Sequence, residues 1–256
     1  MMNVLNIVKY FSIHTVLYGV FLYILHAPQS LCFNELVLLF ITSTISFFYQ
    51  NERIQGLDSV DDMINNKGRV EWIKNNIMLF KAVWALSGLT FVSIVVLNWT
   101  TLWYYLIFGA PLMFLYKYLK NVPLVKSLFV AFSVTLVIYH IPLLLTDSIE
   151  LFSGETFLSI FLHFLACLNT QDSIDYAGDM AGGVKTFPTV LGVWPSYIIN
   201  TLCFIGCVTL NDNSVWQKYN IMLIVISNPK LLYVMWPVRQ VWFVPLMLLI
   251  CLTEFL

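Results

Sequence analysis

Long apolar runs alternate with short polar stretches along this chain, and each run is close to the roughly 20 residues that carry a helix across a bilayer. Nine candidate spans result, at 10–26, 33–50, 76–97, 100–118, 124–146, 151–170, 193–210, 219–237 and 239–255. Helices are the expected form, because a bilayer core has no water to satisfy an open strand edge. Asn228-Pro229 interrupts the eighth run, and Pro237 and Pro245 bracket or kink the ninth. The stretch from Lys9 to His26-Ala27 has the outline of a signal peptide, but with so many runs behind it a first membrane helix is the better reading.

The polar stretches carry the charge, and they carry it unevenly. With nine spans and a cytoplasmic N-terminus, one face collects Lys9, Arg53, Lys67, Arg69, Lys74, Lys81, Lys117, Lys120, Lys126, Lys185, Lys230 and Arg239, while the other collects only Lys218. That asymmetry is the signature of positive-inside topology and makes the richer face cytoplasmic.

Composition agrees with the pattern. The 256 residues are 59% hydrophobic and 11% charged, with a mean hydropathy of +0.81. Soluble domains carry about 25% charged residues. Thirteen basic and 14 acidic side chains cannot cover a water-facing surface of this size, which excludes a soluble enzyme, a disordered chain and a nucleic-acid-binding module. A polytopic all-α membrane protein is expected, as a single transmembrane domain over residues 1–256. The cysteines Cys32, Cys167, Cys203, Cys207 and Cys251 lie in or beside apolar runs without zinc-site spacing, and read as small buried hydrophobes.

Acidic residues do not follow the topology rule, so their clustering needs its own reason. Glu52, Asp58, Asp61, Asp62 and Glu71 fall between the second and third spans, and Asp172, Asp175 and Asp179 between the sixth and seventh. Both clusters sit on the basic face, four helices apart, which suggests a repeated helical unit bringing two acidic loops, about 50–75 and 171–192, to a shared mouth. If the sixth helix continues through Asp172, Asp175 and Asp179, their i, i+3, i+7 spacing puts three carboxylates on one face. Such a group repels itself unless a hard cation, Mg²⁺ above all, neutralises it.

The residues that follow are Met180-Ala181-Gly182-Gly183-Val184-Lys185-Thr186-Phe187-Pro188-Thr189-Val190-Leu191-Gly192. From Asp172 to Gly192 the chain closely resembles the second signature of the UbiA superfamily of intramembrane prenyltransferases. There an Asp-x-x-x-Asp pair is followed by a glycine-bearing loop, a basic residue, Thr, an apolar residue, Pro and Leu-Gly. Asp175 and Asp179 match the pair; Lys185, Thr186 and Pro188 match the downstream elements; Met180 stands where a basic residue is frequent. The resemblance implies nine helices with acidic loops after the second and sixth. Tyr116-Lys117-Tyr118-Leu119-Lys120 with Leu124-Val125-Lys126 looks like the family's basic segment between helices four and five, where lysines either hold diphosphate or anchor helix ends at headgroups.

The first acidic loop departs from the family pattern Asn-Asp-x-x-Asp-x-x-x-Asp. Its sequence is Gln50-Asn51-Glu52-Arg53-Ile54-Gln55-Gly56-Leu57-Asp58-Ser59-Val60-Asp61-Asp62. Aligned on Asn51-Glu52, it has Gln55 and Ser59 where carboxylates belong; Glu52 is the ligand if Arg53 is aligned instead. Asp58 and Asp62 keep an i, i+4 pair, and on one continuous helix Asn51, Gln55, Asp58 and Asp62 share a face.

The resemblance therefore implies Mg²⁺-dependent transfer of a prenyl group from a prenyl diphosphate to an aromatic or quinone-precursor acceptor, at the cytoplasmic side of a bacterial inner membrane or an organelle equivalent. Asp58, Asp62, Asp172, Asp175 and Asp179 are the expected metal ligands. Asp175, Asp179 and Lys185 are the expected catalytic residues, and Asn51, Glu52, Arg53, Lys117, Lys120 and Lys185 the expected substrate contacts. A terpene cyclase on the same fold, or a non-catalytic binding or assembly protein, are the alternatives. Trp99, Trp103, Tyr104 and Tyr105 read as an interfacial belt, Tyr139 and His140 are polar enough to line a cavity, and His14 and His163 read as satisfied interior histidines.

Overall fold

The computed structural model describes residues 11, 13–103, 118, 122 and 124–232. The described residues form helices and no strand. In chain order the helices are α1 (Ile13–His26), α2 (Glu35–Gln55), α3 (Val60–Asn65), α4 (Lys67–Asn75), α5 (Ile77–Leu97), α6 (Val125–Thr135), α7 (Ile141–Leu145), α8 (Gly154–Ile174), α9 (Tyr176–Gly182), α10 (Phe187–Leu191), α11 (Val193–Leu210) and α12 (Ser214–Ile226). A π-helical turn, Leu136–His140, joins α6 to α7. It immediately precedes Pro142, which cannot donate to the carbonyl four residues back and crowds it; widening the turn relieves that clash.

Among the described residues, three stretches are long and apolar enough to cross a membrane: Ile77–Leu97, Val125–Leu145 and Val193–Leu210. Helix α1 is apolar but shorter. Helices α2 and α8 also occupy expected spans, yet both end in polar sequence, Tyr49-Gln50-Asn51-Glu52-Arg53 and Asn169-Thr170-Gln171-Asp172, which dilutes their apolar character where the acidic loops begin. Most of the expected span at 100–118 (residues 104–117), all of that at 239–255, and the last part of the one at 219–237 lie outside the described residues. Lys117, Lys120, Tyr104, Tyr105 and Cys251 lie outside them as well.

The chain divides into two compact units, Met1–Lys117 with Val137–Leu151, and Tyr118–Leu136 with Phe152–Leu256. Each contains one of the two acidic segments. In the first unit α2 packs on α1 and α5. The approach is close where side chains are small: a Cβ on Gly19 would stand 2.2 Å from Ile45, and one on Gly88 2.7 Å from Phe47. Tight backbone approach of this kind is how helices associate in lipid, where there is little hydrophobic gain left to drive them together. Phe11 stacks on Phe80 at 4.8 Å and meets the edge of Trp72 at 5.7 Å, pinning α4 to the start of α5.

The second unit is organised around α8, which packs on α6 and α11, while α12 packs on α11. A ladder of buried polar contacts runs along α8. Ser159 Oγ accepts from Trp216 Nε1 at 2.8 Å and donates to the Cys207 carbonyl at 3.1 Å. His163 Nδ1 meets Asn220 Oδ1 at 2.8 Å inside a ring of Phe164, Phe204, Trp216 and Tyr219, so it is the satisfied interior histidine the sequence suggests. Asn169 Nδ2 donates to Asn200 Oδ1 at 2.6 Å, and Asn200 Nδ2 donates to Thr170 Oγ1 at 3.0 Å. Directional bonds at three levels fix the rotation of α8 about its axis as well as its position. On the far side of α11, Trp194, Ile198, Leu202 and Ile205 form an exposed apolar stripe that suits lipid.

Cys32, Cys203 and Cys207 are free and buried, and Cys167 is half-buried. Burial raises the Cys32 pKa, which keeps its thiol protonated.

Candidate functional site

The second acidic segment begins at the end of α8 and occupies two short helices. It does not continue α8 as one helix: α8 stops at Ile174, and Asp175 forms the junction to α9. Aspartate is a weak interior helix former that favours such junctions. Its carboxylate accepts from Gln171 Nε2 at 2.7 Å. The Asp179 N–H donates to the Asp175 carbonyl at 3.0 Å, so the pair stands one helical turn apart across the junction. Asp172, one turn earlier on α8, is 5% exposed and fully engaged: Lys126 Nζ donates to Oδ1 at 3.0 Å, and Ser127 Oγ donates to Oδ2 at 2.9 Å.

The segment after Asp179 is a compact turn whose residue types follow from its backbone. Gly183 ends α9 with φ of +70°, a left-handed conformation that a side chain would strain. Thr186 starts α10 with Pro188 in the first turn, where its missing N–H is no loss. Thr189 Oγ1 accepts the Thr186 N–H at 2.8 Å and donates to the Val184 carbonyl at 3.0 Å, closing the turn on itself. The Leu124 N–H reaches the Lys185 carbonyl at 3.4 Å, joining the turn to the residue before α6. Thr186, Phe187 and Pro188 are buried by this arrangement, while Lys185 is exposed. A recess of about 240 Å³ results, lined by Asp179, Met180, Gly183, Val184, Lys185, Thr189 and Val190. The catalytic aspartate and lysine expected from sequence thus face one recess, with Asp179 only 4% exposed.

The first acidic segment is built differently. Helix α2 ends at Gln55 with Gly56 as its cap, and α3 begins only at Val60. Asn51, Gln55, Asp58 and Asp62 therefore do not share one helix face. Asp62 folds back over Gly56, where a Cβ would lie 2.1 Å from its Oδ2. Arg69 Nη2 donates to Asp62 Oδ1, and Ser59 Oγ donates to Oδ2 at 3.4 Å. Lys74 Nζ donates to Asp58 Oδ1 at 2.9 Å, but Asp58 is 92% exposed there. Glu52 is exposed, and Asn51 and Arg53 are half-buried. Arg53 lies beyond the apolar stretch of α2; burial, and after it the like charge of Arg69, brings its pKa down to about 10, so it remains a cation at neutral pH. The same unit holds an apolar recess of about 570 Å³ between α1, α2 and α5, with Thr42, Ser46 and Gln50 along one wall.

Mg²⁺ is the ion the resemblance implies. The donor chemistry of the second segment fits it: Asp175 and Asp179 are hard oxygen donors one turn apart, beside a recess that also carries Lys185. Among the described residues, no three His, Cys, Asp or Glu side chains gather as a ready-made cation cage. Magnesium characteristically takes only one or two protein carboxylates and completes its octahedron with water and substrate phosphate oxygens. Ser127 and Gln171 are neighbours that sequence reasoning did not single out, and Lys126, which it placed in the basic segment, is engaged by Asp172. No signal in the linear chain pairs Lys126 with Asp172, 46 residues away.

The model of the UbiA prenyltransferase family matches residues 67–252, well over half of the chain. The match covers the second acidic segment and begins after Asp62. Neither the curated proteins nor the solved structures gave a match.

Proposed function

The chain belongs to the UbiA prenyltransferase family, and from that premise we propose that it catalyses Mg²⁺-dependent transfer of a prenyl group from a prenyl diphosphate to an aromatic or quinone-precursor acceptor within the membrane. The observation that carries this reading is the meeting of Asp179 and Lys185 at one recess, on a turn held rigidly to the end of α8.

A prenyl diphosphate brings about three negative charges, and bare carboxylates in a site sheltered from water would repel it by several kcal/mol. Asp175 and Asp179 would hold the cation that reverses this, and Mg²⁺ bound there would supply Lewis-acid stabilisation of the leaving diphosphate. Lys185 would add a fixed positive charge to the same oxygens. The twelve-to-one distribution of basic residues supports a cytoplasmic site.

The deciding experiment is diphosphate release by the purified protein in detergent, with farnesyl or geranylgeranyl diphosphate and a panel of phenolic acceptors. Release that needs both Mg²⁺ and an acceptor is expected. Release without an acceptor identifies cyclase or hydrolase chemistry instead, and a protein that neither binds nor turns over any donor is a non-catalytic member of the family.

A further inference from the structure

We propose that Asp62 and Asp172 are internal fasteners rather than metal ligands, each tying an acidic segment to a neighbouring helix through a cation, with a serine hydroxyl beside the second carboxylate oxygen. The two are built alike. Asp62 accepts from Arg69 of α4 at Oδ1, and its Oδ2 faces Ser59 Oγ at 3.4 Å, a hydroxyl whose shorter bond, 2.8 Å, is to the Gly56 carbonyl; Asp172 accepts from Lys126 of α6 at Oδ1 and from Ser127 at Oδ2. In both, a cation holds one carboxylate oxygen within hydrogen-bond distance and a serine hydroxyl faces the other.

Sheltered cationic partners separate these two from Asp58 and Asp175. The Asp62 and Arg69 side chains are 24% and 17% exposed, and those of Asp172 and Lys126 are 7% and 21% exposed. A divalent cation reaching either carboxylate would have to displace a sheltered ammonium or guanidinium or stand beside it, and at low effective dielectric that repulsion is large. Asp58 is engaged only by an exposed lysine, a pairing of little consequence. Asp175 gives one oxygen to a neutral amide. Gly56 belongs to the first fastener, because its missing Cβ is what lets Asp62 lie back toward Ser59 and Arg69. That Asp62 precedes the residues matched by the family model agrees with a departure at this loop. The metal role then falls to Asp175 and Asp179 together, a consequence that rests on the function proposed above.

The test uses the full chain in detergent and two readouts. The first is Mn²⁺ binding in the presence of inorganic pyrophosphate, followed by electron paramagnetic resonance. The count of bound ions should be unchanged in Asp62→Asn and Asp172→Asn and should fall in Asp179→Asn. The second is a pair of thermal double-mutant cycles, Asp62→Asn with Arg69→Met and Asp172→Asn with Lys126→Met. Each single change should lower Tm, and each double should lose clearly less than the sum, because it leaves no uncompensated charge. If a single variant does not fold, its neutral double serves for the Mn²⁺ count. Loss of an ion from a folded Asp62 or Asp172 variant overturns the proposal, as do additive Tm losses. Should the wild-type protein bind no Mn²⁺, the metal reading of the function fails, and the cycles alone decide the fasteners: coupled losses uphold them and additive losses overturn them.

Discussion

Five aspartates that look equivalent along the chain have different surroundings in space. Asp179 is buried beside a recess with Lys185, Asp175 caps a junction, Asp172 and Asp62 are held by cations, and Asp58 is exposed. Under the proposed function, Asp175→Asn and Asp179→Asn should each lower donor turnover by about 100-fold or more while leaving the helical circular-dichroism spectrum unchanged, since each removes a ligand charge where leaving-group charge develops. Gly56→Ala makes a different prediction. Its Cβ would occupy the space of Asp62 Oδ2, so the carboxylate must swing away from Ser59 and Arg69. The expected cost is roughly 1–3 kcal/mol, the usual range for forced overpacking, read as a lower Tm in detergent. In an Arg69→Met background the same change should cost less.

At the scale of elements, the signature Lys185-Thr186-Phe187-Pro188-Thr189 is largely a device for starting α10. Thr189 closes the turn, Pro188 opens the helix, and Lys185 is thereby carried at the rim of the recess. Thr189→Val removes the hydroxyl's bonds to Thr186 and Val184 while nearly preserving shape. It should cost about 1 kcal/mol of stability, as lost caps do, and should lower kcat/KM more than the thermal loss accounts for, because Lys185 loses its support. The polar ladder along α8 predicts a purely structural effect by contrast. Asn200→Ala strips Asn169 and Thr170 of a buried partner and should cost about 1–3 kcal/mol, with the KM for the donor unchanged in the protein that remains folded.

For the whole molecule, the informative quantity is the side of the membrane on which each loop emerges. On the nine-span reading, the basic asymmetry is expected to put Lys74 and Lys185 on one side and Lys218 on the other. All three side chains belong to residues that are exposed. Single replacements Lys74→Cys and Lys185→Cys should therefore react with a membrane-impermeant maleimide from the same side of sealed vesicles, and Lys218→Cys only from the other. Labelling of Lys74→Cys and Lys185→Cys from opposite sides would separate the two acidic segments and remove the idea of a shared mouth.

The primary sequence by itself determined the all-helical class of this protein, three of its apolar membrane-length helices and its family. Those features depend on local and additive quantities: run length, hydropathy, the count of lysines on a face, and a contiguous motif from Asp172 to Gly192. The interruption of α8 at Asp175 and of α2 at Gln55 was not legible, since an i, i+3, i+7 pattern is equally compatible with one helix or two. Nor was the fate of each carboxylate. Whether an aspartate is offered to a ligand or consumed inside the protein depends on which cation the packing delivers to it, and the pairing of Lys126 with Asp172 joins residues on different helices far apart in the chain. Only tertiary structure decides that, because the energy of a charge is set by its neighbours in space and by its burial.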